Sequence, residues 1–87
     1  EEFTKAAVRM GFDHDQARLL AEPTFIGATS LLAASDVDPA ELRRRVTSPK
    51  GTTERAVAVL QQARLDDTFT VAAEAALARA KELAAGG

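Results

Sequence analysis

The stretch Pro39-Ala-Glu-Leu-Arg-Arg-Arg-Val-Thr-Ser-Pro-Lys-Gly-Thr-Thr-Glu-Arg-Ala56 decides how this chain is read. It predicts a short capped helix, a tight polar loop and the opening of another helix. Asp38 precedes Pro39, and Glu41 follows three positions after the cap, the order expected at a helix start. This helix is short because Pro49 disfavours helical geometry at Ser48. The loop then carries four hydroxyls within seven residues, at Thr47, Ser48, Thr52 and Thr53, with Gly51 among them. A helix N-terminus leaves several backbone N–H groups without partners and bears partial positive charge. Fronted by glycine and hydroxyls, such an end suits a carboxylate or a phosphate. The plainer alternative is a helix–loop–helix connection with Thr52 or Thr53 as the N-cap. Spacing alone leaves both readings open.

Working outward, every other segment also reads as helix, and no period-two alternation marks a strand. Phe3, Ala6, Ala7 and Met10 place one apolar face on a first helix over about Glu2 to Met10, with Gly11 as its stop. Asp13 and Gln16 make a capping box for a second helix running to about Ala34. Pro23 falls inside it, removes one backbone donor and predicts a kink or break near Ala21–Pro23. The helix opening near Thr52 or Thr53 carries Ala56, Val59, Leu60 and Ala63 along one face. A fifth begins around Asp66 or Asp67, with a stripe of Phe69, Ala73, Ala76, Ala80 and Leu83, and Gly86-Gly87 closes the chain. The fold class is therefore all-α, in one five-helix domain over residues 1–87.

Composition limits what such a domain does. The chain has 87 residues, of which 19 are alanine, and its only aromatic residues are four phenylalanines. A core this small and this poor in large side chains holds little stability in reserve, and a partner chain can supply the missing burial. The uncharged run Pro23–Ser35, with its thin face of Gly27, Ala28 and Ser30, fits either a monomer core or a seam with a second copy. At 13 residues it is too short to span a bilayer, so no membrane role is expected. The net charge of −2 argues against nucleic acid. Cysteine is absent, which is compatible with a reducing cytosol. The chain opens Glu1-Glu2-Phe3 without an initiator methionine or a signal-peptide pattern, which predicts a piece of a longer protein.

Other chemistry finds little support. Arg43-Arg44-Arg45 offers charge for an anion, but three consecutive helical residues point in three directions and read as a solvated face. His14 between Asp13 and Asp15 does not converge on one helix face as metal ligands must, so no metal site is expected. Glu22 and Glu74 lie amid apolar helices and are read as rim residues. No nucleophile elbow accompanies the hydroxyls, so no catalytic residue is assigned. No glycine-rich dinucleotide fingerprint follows a strand, so no cofactor-binding residue is assigned either.

The residues Pro39, Leu42, Val46, Thr47, Ser48, Pro49, Gly51, Thr53 and Ala56 fall in an order and spacing that resembles the C-terminal domain of pyrroline-5-carboxylate reductases. Upstream, Thr24, Gly27 and Ala28 match that family's T-x-x-G-A segment. Downstream, Val57, Leu60, Ala72, Glu74, Ala75 and Glu82-Leu83 look like its last two helices. The resemblance implies an all-α domain that interleaves with its twin in a homodimer, with possible higher assembly. It implies NAD(P)H bound by a separate Rossmann domain absent from this chain, which alone should be inactive. The corresponding loop binds substrate there: Ser48 and the amides around Gly51, Thr52 and Thr53 would hold the carboxylate. The Thr53 hydroxyl would reach the imine nitrogen, whose neighbouring carbon takes hydride to give proline. Reduction of another cyclic imine, or a non-enzymatic interaction module, are the alternatives. Lys50 departs from the Gly, Ala or Asn usual at its position, and at positive φ it is disfavoured by about 1 kcal/mol. Pro23 likewise stands where that family's long helix usually has a polar residue.

Overall fold

A computed structural model describes residues 1–86, which form five α-helices with no strand among them. They divide into two compact units, residues 1–45 and 46–87. Of the expected Gly86-Gly87 ending, Gly86 has positive φ and Gly87 lies outside the described residues.

The first unit contains α1 (Glu2–Arg9), α2 (His14–Ala33) and α3 (Pro39–Arg45). Gly11 turns the chain after α1 at φ 109°, a conformation that costs glycine little. The capping box forms as expected. The Gln16 amide donates to Asp13 Oδ1 at 2.9 Å, and the Asp13 amide donates back to Gln16 Oε1 at 3.1 Å. α1 packs on α2, and beneath it lie Ala17 and Ala21, the only buried residues among those described. Alanine at this seam lets the two backbones approach, and Phe3 and Phe25 close one side of it.

α2 is continuous through Pro23, so of the kink or break expected near Ala21–Pro23 the break does not occur. Proline removes one donor from the ladder, but the exposed helix surface leaves water to satisfy the orphaned carbonyl. Threonines also bond back along this helix: Thr24 Oγ1 donates to the Leu20 carbonyl at 2.5 Å, and Thr29 Oγ1 to that of Phe25 at 2.9 Å. α3 starts as expected, with the Glu41 amide on Asp38 Oδ1 at 3.1 Å.

The second unit contains α4 (Thr52–Gln62) and α5 (Leu65–Ala84). Arg64 joins them in the left-handed region, with φ 53° and ψ 58°. Its guanidinium reaches Asp66 at 3.2 Å and Asp67 at 3.4 Å, in the first turn of α5. No residue of α5 is buried, and its three leucines, Leu65, Leu77 and Leu83, are all exposed.

Candidate functional site

The Ser48–Gly51 segment is a tight turn at the mouth of α4. The Gly51 amide donates to the Ser48 carbonyl at 2.9 Å, with Pro49 and Lys50 between them. Proline at the second position and positive φ at the third are the marks of a type II turn. Lys50 fills that third position at φ 63°, the conformation that makes lysine a costly substitute for glycine.

Gly51 is needed for another reason. Its φ of −85° is open to any residue, and it serves as the N-cap of α4. A Cβ placed there, however, would sit 3.0 Å from the Ser48 carbonyl oxygen and 3.3 Å from Ser48 Cβ. A side chain there requires the Ser48 carbonyl to give way by a few tenths of an ångström.

This geometry corrects the plainer reading of the loop. Neither Thr52 nor Thr53 is the N-cap. Thr52 is the first helical residue, the cap is Gly51, and no side chain caps the helix. The hydroxyls of Ser48, Thr52 and Thr53 make no hydrogen bond among the described residues, and all three residues are exposed. Thr47 is half-buried and engaged. The amides of Thr52 and Thr53 belong to the first turn and have no intrahelical acceptor. Gly51 contributes shape rather than a donor, because its own amide is committed to Ser48. The structure thus brings Ser48, Gly51, Thr52 and Thr53 together at one helix end with free hydroxyls and free amides.

One participant was not evident from the sequence. Glu54 Oε2 accepts the Lys50 backbone N–H at 2.7 Å, outside the helix proper. The spacing of an acid three residues after the cap was its only signal.

The remaining candidates lie elsewhere. Glu41 is paired with Arg44, and with Arg45 at 3.3 Å, which makes this part of the arginine run a solvated ion-pair network. Hydrogen bonding from Arg44, reinforced by its charge, holds the Glu41 carboxyl below its ordinary range. On α2, Arg18 Nε bonds Glu22 Oε2 at 2.6 Å and lowers that carboxyl in the same way. His14 is exposed, 4.0 Å from Asp15. Among the described residues no three histidine, cysteine or carboxylate side chains gather as a metal set. Among the described residues no helix is long and apolar enough to cross a membrane.

Residues 1–83 match the family model described as pyrroline-5-carboxylate reductase dimerisation. The chain is 42% identical over 81 residues to the pyrroline-5-carboxylate reductase of Pseudomonas aeruginosa, covering 93% of this chain and 30% of the relative. It is 36% identical over 83 residues to pyrroline-5-carboxylate reductase 2 of Bacillus subtilis, covering 95% of this chain and 30% of the relative. Pyrroline-5-carboxylate reductase 3 of Rattus norvegicus is also 36% identical over 83 residues, with 95% of this chain and 30% of the relative covered. The chain therefore spans about a third of the length of the curated relatives it matches. With an all-α architecture, and a family match over all but its last four residues, this chain belongs to the pyrroline-5-carboxylate reductase dimerisation family.

Proposed function

We propose that this chain is the dimerising, substrate-carboxylate-holding part of a cytoplasmic reductase that converts 1-pyrroline-5-carboxylate to L-proline. The observation that carries the reading is the uncapped start of α4. Had the hydroxyls served only to cap the helix, one of them would accept a first-turn amide; none does. Ser48 and Thr53 instead stand free beside two unpartnered amides, a set matched to a carboxylate arriving at the positive end of a helix. The carboxylate takes the Ser48 hydroxyl and the amides of Thr52 and Thr53. The Thr53 hydroxyl then lies where it donates to the ring nitrogen, fixing the imine carbon for reduction.

The residues present do not fit a nicotinamide cofactor. Among those described there is no strand and no glycine-rich turn following one. We assign NAD(P)H to a part of the enzyme outside these residues, in keeping with the share of the relatives that the chain spans. The homodimer, with helices interleaved between copies, is supported by the family's own description and by the exposed leucines of α5.

The test is Ser48→Ala and Thr53→Ala in the intact reductase. Each is expected to lower kcat/KM by tenfold or more, roughly what the loss of a charge-assisted hydrogen bond implies, with an unchanged melting temperature. Loss of stability without loss of turnover would instead make this a helical interaction module.

A further inference from the structure

Glu54 is the third residue of α4, and a glutamate there ordinarily reaches back to the N-cap amide. In this chain that amide, on Gly51, is already donated to Ser48. Glu54 reaches one residue further and takes the Lys50 amide at 2.7 Å. Lys50 is the residue held in the left-handed region, where a side chain is disfavoured. Two bonds therefore lock the turn, one from each of the consecutive amides of Lys50 and Gly51.

We propose that Glu54 is a positioning residue for the carboxylate-holding loop. By gripping the Lys50 amide it holds Lys50 left-handed, and so keeps the Ser48 hydroxyl and the Thr52 and Thr53 amides in one arrangement. Its bond is made outside the helix, so the first-turn amides stay free for the ligand. This inference rests on the function proposed above.

The experiment uses the intact reductase with pyrroline-5-carboxylate as the probe. Glu54→Ala is expected to raise KM roughly three- to tenfold, as for one lost hydrogen bond, with kcat little changed. Glu54→Gln keeps an acceptor oxygen and is expected to stay within about twofold of wild type. In a Lys50→Gly background the turn needs no grip, because glycine adopts positive φ unaided, so Glu54→Ala should there leave KM unaltered. An equal KM rise in both backgrounds, a Glu54→Gln variant as impaired as Glu54→Ala, or an unchanged KM for Glu54→Ala each overturns the proposal. Amide-resolved hydrogen exchange separates it from its premise. If Ser48→Ala and Thr53→Ala leave KM unchanged while Glu54→Ala speeds exchange at Lys50 roughly tenfold, the carboxylate reading has failed and the grip stands. Exchange at Lys50 unaffected by Glu54→Ala sinks the grip itself.

Discussion

The Phe3 ring meets the Phe25 ring edge-on, with centroids 5.3 Å apart and planes at 87°. Edge-to-face geometry sets the positive rim of one ring against the negative face of the other. This contact joins α1 to α2 beside the two buried alanines. Both rings remain half exposed, so the loss is modest. Phe25→Ala is expected to destabilise the docking of α1 by about 1–2 kcal/mol. Faster amide exchange confined to α1 is the readout.

The alanines themselves make a stricter prediction. Ala17 is fully buried under α1. A larger side chain there has to push the helices apart, so Ala17→Leu should cost about 1–3 kcal/mol. The melting temperature checks it. Ala40→Leu, exposed on α3, is the control expected to stay within about 0.5 kcal/mol in that measurement.

Two non-glycine residues hold positive φ, one at each end of α4: Lys50 at 63° and Arg64 at 53°. Relief of that strain should make Lys50→Gly and Arg64→Gly each stabilising by about 0.5–1 kcal/mol. Arg64 gives up exposed pairs to Asp66 and Asp67, which are worth little in water. Denaturant midpoints at constant slope measure both.

Acid should loosen the helices in a particular window. The Glu22 carboxyl is lowered first by its hydrogen bond from Arg18 and then by the Arg18 charge. Glu2 is lowered in the same way by Lys5. A carboxyl whose folded value lies below its unfolded one stabilises the fold above the unfolded value. That contribution fades as pH falls through the lowered folded value. Helicity followed by circular dichroism should therefore hold at neutral pH and decline only below the ordinary glutamate range. The decline should be weaker in Arg18→Gln. High salt should shrink the effect, because both partners are exposed.

The exposed leucines of α5 yield a prediction about assembly. If a second copy covers them, the melting temperature rises with chain concentration. Leu77→Asp should then shift sedimentation toward monomer, while the helix itself persists.

The helices were legible because their starts are chemically marked. Asp13 with Gln16, and Asp38 with Pro39, announce their ends in side-chain terms, and the bonds form as the pattern requires. The spacing places the α4 start within a residue, and the cap, which the plainer alternative gives to Thr52 or Thr53, is Gly51. A glycine cap leaves no side-chain signature, and what crowds a side chain at Gly51 is the nearness of Ser48 in space. Pro23 predicts a kink or break because local rules count the missing donor without knowing that the helix surface there is open to water, and the break does not form. Nothing in the sequence marked Arg64 as left-handed: no glycine stands between α4 and α5, so the turn is bent through an arginine instead. The scarcity of buried residues was foreshadowed only by the count of alanines. Which surfaces are covered depends on contacts that a single chain does not contain.

The bareness of α5 has a kinetic side. α1 and α2 are joined by the short Met10–Asp13 connection, and closures of that length finish within microseconds. Shelter for α5 has no such shortcut if it comes from another molecule, because its arrival is then set by collision frequency. A newly made chain would cross that interval with twenty residues of uncovered helix, which makes dilution, rather than heat, the simplest way to strand it unfinished.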